Sequence, residues 1–418
     1  MPTHRLAKPF LIALLLLVAP RAASAEDLIG LFLSWQQDPT TTMTVTWVDI
    51  YADSSSTILY RKYDGQKHSP DTKWQTATAK QSTMGPTTLQ LRRVELTGLE
   101  PDTRYEFGIG DTTKDVTNFR RFDTMPAKLT RPLTFVSGGD MMHNRAMVDD
   151  MNEEMQKLEP NFALLGGDIA YENGVHGTHW IDWLQSWTNH AITKDKRVIP
   201  LVIAIGNHEV KGGYDGTPPQ DAPYFYSIFP LPENRSYYAL DFGKYLSLVV
   251  LDSHHTNPVP GAQAEWLADA MSQRGDQQFL FACYHFPAYG TTKEPKGGTP
   301  IDSDRALAIQ KNWCPSFDRY GATAIFENDH HNYKRSHRIR NRQRDDANGI
   351  LYLGDGAWGV EPREVPKDAW WLAKAEGRNH LWHVELDPDG EAKFEAIDAK
   401  GEVFDEVEIK EPRTKPVP

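Results

Sequence analysis

Cysteine is nearly missing from this chain: 418 residues contain two, Cys283 and Cys314. That excludes a disulfide framework, iron–sulfur clusters and cysteine-rich structural zinc sites. Cys283 lies in an apolar run and reads as a buried thiol, with a single bridge to Cys314 as the alternative. Positive charge is also short. Lys and Arg number 45 against 57 Asp and Glu, a formal net charge of −12, so nucleic-acid binding is not expected. An anionic substrate would meet an unfavourable overall field, which local cations such as metal ions would have to reverse. Long apolar stretches are missing too, save one. Phe10 to Ala19 is unbroken but far shorter than the ~20 residues of a bilayer-spanning helix, so no stable membrane anchor is expected. With His4, Arg5 and Lys8 before it and Ala23-Ser24-Ala25 after it, the run reads as a signal peptide over 1–25, and the mature protein as secreted or periplasmic.

What remains has a globular composition, with 39% hydrophobic and 11% aromatic residues. From Leu28 to Met125 the pattern is one of short strands. Met43, Val45 and Trp47 alternate with Thr44, Thr46 and Val48, and Leu89 to Val94 alternates again. Tyr105, following the Pro101-Asp102 turn and Thr103, suits a buried tyrosine whose hydroxyl closes a corner between sheets. The predicted element is a mainly β sandwich over 26–127. It resembles a fibronectin type III domain with Trp47 as its core tryptophan, and it carries no binding motif.

A larger domain over 128–410 follows, with a loose tail over 411–418. Its apolar runs are Leu133 to Val136, Phe162 to Leu165, Leu201 to Ile205, Leu246 to Leu251, Phe279 to Tyr284, Ala322 to Phe326 and Ile350 to Leu353. Such runs read as buried strands. Arg145 to Leu158 and Trp180 to Ile192 are long enough for crossover helices, which predicts an α/β fold. His383 to Ile409 reads as hairpins completing a second sheet.

The residues after these runs carry the chemistry. Asp140, Asp168, Asn207, His285 and the pair His330-His331 all follow apolar runs, and the carboxyl ends of strands are where open α/β sheets place their ligands. Carboxylate and amide oxygens mixed with imidazoles suit Mn, Fe or Zn better than calcium. The donors exceed the needs of one metal. Two metals sharing a carboxylate use them all, and such a pair suits hydrolysis of a phosphate ester.

The order Gly139-Asp140, Gly167-Asp168 with Tyr171, Gly206-Asn207-His208-Glu209, His285 and a final histidine-bearing strand end is similar to the metallophosphoesterase superfamily. The spacing of Tyr171 from Asp168 resembles its purple acid phosphatase branch, in which a fibronectin-like front domain precedes a metallophosphoesterase domain of two packed sheets flanked by helices. The wider superfamily commonly has a histidine two residues after the first aspartate, where this chain has Met142. The resemblance implies a phosphatase that hydrolyses monoesters by attack of a metal-bound hydroxide. It further implies Fe(III) held by Asp140, Tyr171 and His331, a divalent Fe, Zn or Mn held by Asn207 and His285, Asp168 bridging, and His208 facing the phosphate or the leaving oxygen. A phosphodiesterase of the same fold, or a silent phosphate- or surface-binding protein, is the alternative.

Two departures stand out. Where the family has Gly-His-x-His, this chain has Asn328-Asp329-His330-His331, which puts Asp329 in place of a second-metal histidine unless His330 takes over. Strand alternation would put Asp329 and His331 on one face, which favours Asp329 as the ligand. The loop after His285 also lacks the family's further histidines, although it holds Lys293 and Lys296. His254 and His255 leave another strand at the same edge and are candidate proton donors. Lys334 and Arg335 read as structural rather than phosphate-binding. Trp358 reads as one wall of the cleft.

Overall fold

Strand Leu28–Ser34 belongs to both parts of the chain. On one side it pairs antiparallel with Met43–Asp49, and on the other it runs parallel to Leu201–Ile203 through Ser34 and Leu201. The computed structural model describes residues 28–50, 54–66, 72–212, 218–291, 303–365, 369–411 and 413; the expected signal peptide, Lys293 and Lys296 lie outside them. Through Leu28–Ser34 one 10-stranded sheet crosses the molecule. Its order is Val403–Ile409, Ala392–Asp398, His380–Leu386, Leu133–Gly138, Phe162–Leu165, Leu201–Ile203, Leu28–Ser34, Met43–Asp49, Gln90–Leu96 and Lys80–Thr83. The front part of this sheet and the strands Gln75–Thr78, Thr57–Lys62, Arg104–Ile109 and Arg120–Asp123 enclose Val45, Trp47, Ile58, Phe107 and Phe122. The Tyr105 hydroxyl accepts the Glu100 N–H at 2.9 Å, the expected corner.

A 7-stranded sheet forms the second layer, in the order Tyr238–Phe242, Leu246–Val250, Phe279–Cys283, Ala324–Phe326, Leu351–Gly354, Tyr333–Ser336 and Leu372–Glu376. Its strands from Leu246–Val250 to Leu351–Gly354 are parallel. Aromatic rings join the layers, with Phe135 of the large sheet 5.6 Å from Phe281 and 5.9 Å from Phe326 of the other. Strands buried on both faces need no polar face, which is why these segments are apolar throughout.

Helices cover the outsides. Arg145–Leu158 starts where the Asn144 side chain accepts the Met147 N–H and buries Val148, Met151 and Met155 along one stripe. Thr178–His190 buries Trp180, Trp183 and Trp187. The second sheet is covered by Ala262–Gln273, Asp304–Asn312 and Cys314–Tyr320, through Leu267, Ile309 and Phe317. Among the described residues no helix is long and apolar enough to cross a membrane.

The structure corrects two expectations from the sequence, the place of the closing hairpins and the position of Trp358, and agrees with a third, the buried Cys283 thiol. The hairpins over 383–409 join the large sheet, not the second one. Leu133–Gly138 has Phe162–Leu165 on only one side, so its other edge is free to pair with His380–Leu386. Cys283 and Cys314 are both free and buried, and the Tyr352 hydroxyl lies 3.5 Å from Cys314 Sγ. Trp358 lines no cleft: it is fully buried and donates its indole N–H to Asn152 Oδ1 at 2.9 Å. Of the expected tail, Glu411 and Arg413 are described, and the Arg413 guanidinium donates to backbone carbonyls including those of Tyr320 and Gly275.

Candidate metal centre

Sharp exits from parallel strands bring the candidate side chains together. Asp140 follows Leu133–Gly138, Asp168 and Tyr171 follow Phe162–Leu165, Asn207 follows Leu201–Ile203, His285 follows Phe279–Cys283, and Asp329 and His331 follow Ala324–Phe326. Five of them hold left-handed backbone: Asp140 at φ 56°, Asp168 at 54°, Tyr171 at 54°, Asp329 at 77° and His331 at 57°. Such conformations are uncommon outside glycine and cluster at functional sites. Glu209, fully buried, ties two exits together by accepting the N–H groups of Asp168, Ile169 and Gly206 at 2.7–2.8 Å. Burial, then the nearby Asp168 charge, pushes its carboxyl up to about 7. At Gly166 a Cβ would overlap the Asn328 amide, so this exit requires glycine.

Asp168 lies at the centre. Its Oδ1 accepts the His208 N–H at 2.8 Å, and its Oδ2 is 3.2 Å from His285 Nε2. That imidazole nitrogen is also 3.1 Å from Asn207 Oδ1 and 3.8 Å from Asp329 Oδ1. His285 Nδ1 is 2.9 Å from the Gly166 carbonyl, which accepts its proton and leaves Nε2 as the ligating atom of the neutral ring. On the other side, Asp140 Oδ1 is 2.8 Å from the Tyr171 hydroxyl and 3.1 Å from His331 Nε2, and these two lie 2.9 Å apart. Asp140 Oδ2 accepts the Asp329 N–H at 2.8 Å.

The donor set fits a metal pair. Ligand atoms of Asp140, Asp168 and His285 lie within 4.8 Å of one another, all on buried residues. Among the described residues, the ion-pair partners of these two carboxylates are histidines alone. Buried carboxylates without a Lys or Arg call for another cation. Burial works to raise the Asp168 carboxyl, but His285 and His208 outweigh it and hold it below the usual carboxylate range. Burial likewise works to lower His285, and Asp168 and Asp140 outweigh it, raising the ring to about 10. Burial and then Asp140 hold the Tyr171 hydroxyl well above its ordinary value.

The remaining candidates fall in different places. His208 stacks on Tyr171 with centroids 4.2 Å apart, its Nδ1 is 2.5 Å from Asn173 Oδ1, and its Nε2 is 3.8 Å from Asp168 Oδ2. His254 is half-buried at φ 83°, with its N–H donating to Asp252. His255 is fully buried behind His285, with Nε2 3.0 Å from Ser253 Oγ. His255, read from the sequence as a candidate proton donor, therefore presents no solvent-facing edge. Strand alternation also fails at Asp329-His330-His331, because the strand resumes only at Tyr333–Ser336. Asp329 nevertheless faces His285, while His330 Nδ1 accepts the Thr291 N–H at 2.8 Å. Lys334 is structural: it lies 2.5 Å from Glu327 Oε2 and 2.9 Å from Asp355 Oδ1, wholly buried. Arg335 pairs with Asp405 at 2.6 Å. The sequence reading missed Asn173 and His143, an exposed ring whose centroid is 5.0 Å from that of Tyr171. Neither sits at a spacing that a ligand pattern would single out.

Comparison with known proteins places this geometry. Residues 29–124 match the family described as purple acid phosphatase, N-terminal domain, and residues 130–333 match the calcineurin-like phosphoesterases. An uncharacterized protein of Mycobacterium tuberculosis (strain ATCC 25618 / H37Rv) is 26% identical over 297 residues, 61% of this chain and 52% of its own length. Purple acid phosphatase 15 of Arabidopsis thaliana is 23% identical over 297 residues, 64% of this chain and 53% of its own. The chain thus aligns with about half the length of these curated relatives. In fold it is similar to the solved purple acid phosphatase from yellow lupin (Lupinus luteus) seeds, with a TM-score of 0.71, 16% identity and coverage of 90% of this chain and 73% of that one. With both family profiles matched in order and the strand-end residues gathered around Asp168, the chain belongs to the purple acid phosphatase-like metallophosphoesterases.

Proposed function

We propose that this protein is a dinuclear-metal phosphatase acting on phosphate monoesters. One observation carries the reading: Asp140, Tyr171 and His331 meet on one side of buried Asp168, and Asn207 and His285 meet on the other. Asp140, Tyr171 and His331 would hold the first metal, Fe(III), and Asn207, His285 and Asp329 the second, a divalent Fe, Zn or Mn, with Asp168 shared. Asp329 is preferred to His330 because its Oδ1 lies 3.8 Å from His285 Nε2, whereas His330 Nδ1 is already engaged by Thr291. When bound, such a pair neutralises phosphate oxygens and supplies an activated water.

The chain's own groups do the rest. Asn173 Oδ1 accepts a hydrogen bond from His208 Nδ1–H and the Tyr171 ring supports the imidazole, so Nε2 is held toward the cleft. Protonated, this nitrogen gives its proton to the departing alkoxide oxygen. The front module is read as fibronectin type III-like, and the basic start and apolar run within 1–25 support export.

Metal analysis with a visible spectrum, before and after Tyr171→Phe, tests the proposal, followed by assays on an aryl monoester and an aryl diester. The expected result is about two metals per chain, a purple charge-transfer band lost in the variant, and faster turnover of the monoester. Two metals without colour, even after oxidation, would overturn the iron assignment alone. No metal after reconstitution would overturn the enzyme in favour of a silent binder.

A further inference from the structure

Beside Asp140, Tyr171 and His331, the wall of the site carries two basic side chains that none of the roles above uses. His143 is exposed, three residues beyond Asp140 on the same exit. Its backbone N–H donates to the Gly359 carbonyl at 2.8 Å, and its Nδ1 accepts the Glu361 N–H at 3.1 Å. That acceptance leaves the proton of the neutral ring on Nε2. The ring centroid is 5.0 Å from Tyr171 and 5.3 Å from His331, in each case close to edge-on.

Arg363 comes from the same 359–363 loop. Its N–H donates to the His331 carbonyl at 2.8 Å, and its Nη1 lies 3.5 Å from the Asp329 carbonyl. The residue is exposed, is near enough to His143 to act on it electrostatically, and has no carboxylate partner among the described residues. A guanidinium beside a cluster of candidate metal ligands, with no carboxylate partner among the described residues, suits an anion that arrives from outside.

Resting on the phosphatase reading above, we propose that His143 Nε2 and the Arg363 guanidinium form a recognition edge for the outer oxygens of a phosphate monoester dianion, and that this edge sets the preference for monoesters over diesters. The chemistry discriminates in two ways. A monoester carries about two negative charges near neutrality, whereas a diester carries one, so the guanidinium gains more from the first. A diester also replaces one outer oxygen by an ester arm, which is a poor acceptor and places carbon against the donors.

The metal-loaded protein and its Arg363→Gln, His143→Ala and His143→Gln variants are compared on 4-nitrophenyl phosphate and bis(4-nitrophenyl) phosphate, with inorganic phosphate as inhibitor and metal content measured alongside. In Arg363→Gln the ratio of monoester to diester kcat/KM is expected to fall about tenfold, mainly through monoester KM, with inhibition by phosphate weakened by a similar factor. His143→Ala moves the ratio the same way, and His143→Gln, which keeps an N–H donor, restores part of it. Metal content stays at the wild-type level in all three. An unchanged ratio, or equal losses on both esters, overturns the recognition edge while leaving the phosphatase standing. A wild-type protein that is fully metallated yet hydrolyses neither ester overturns both.

Discussion

The Nε2 atom of His285 lies 3.2 Å from Oδ2 of Asp168, with both side chains buried. With His285 raised to about 10, the ring carries a proton at neutral pH where a metal ion is expected to bind. Loading that position must release this proton.

Metal affinity should therefore climb with pH. Each proton displaced makes apparent binding about tenfold tighter per pH unit, and the rise should persist up to about 10, where the His285 proton leaves unaided. Competition titrations with a chromophoric chelator across that range check it. Asp168→Ala should abolish both metal binding and turnover, since it removes the shared carboxylate.

Gly356→Ala should damage the first metal position selectively. Gly356 sits at φ 64°, and a Cβ there would overlap the Asp140 carboxylate. Relief by moving Asp140 breaks its contacts with Tyr171 and His331, at a cost of about 1–3 kcal/mol. Denaturant unfolding combined with metal counting would show a folded protein that has lost metal at that position.

Lys334→Met should destabilise the floor of the site. The ammonium lies between Glu327 and Asp355, wholly buried, and its loss leaves two carboxylates without their cation. Breaking a buried pair in this way costs about 3–5 kcal/mol. A large fall in melting temperature is expected, and a melting temperature within error of wild type would show that the network is dispensable.

Acid should weaken the fold through His380. Burial holds this imidazole down to about 4, while an unfolded histidine titrates near its ordinary 6.5. Between those values the unfolded chain takes up a proton that the folded chain refuses, so stability falls as pH drops through that window. The loss is at most about 1.4 kcal/mol per pH unit. Urea midpoints measured across the window should fall less steeply in His380→Phe.

Local chemistry was legible along the chain. Apolar runs marked buried strands because a strand covered on both faces carries no alternating polar side, and Arg145–Leu158 appears over the residues its spacing indicated. Asp140, Asp168, Asn207, His285 and His331 were legible because each follows such a run at the ligand-binding edge. Asn173 and His143 were not, since they matter through what they touch across the site: Asn173 pins His208, and His143 leans on Tyr171.

The sequence by itself determined which segments are strands and which side chains leave their carboxyl ends, because both follow from hydrophobic pattern and from the short range of backbone geometry. Which edges pair and which ring is shut in followed from the packing of the whole chain. The hairpins over 383–409 joined the large sheet because Leu133–Gly138 offered an open edge, and Leu28–Ser34 joined the front module to Leu201–Ile203. Burial separated His255, closed behind His285, from His208, which retains an exposed edge. Edge pairing and burial depend on contacts between residues far apart in the chain, which no local pattern encodes.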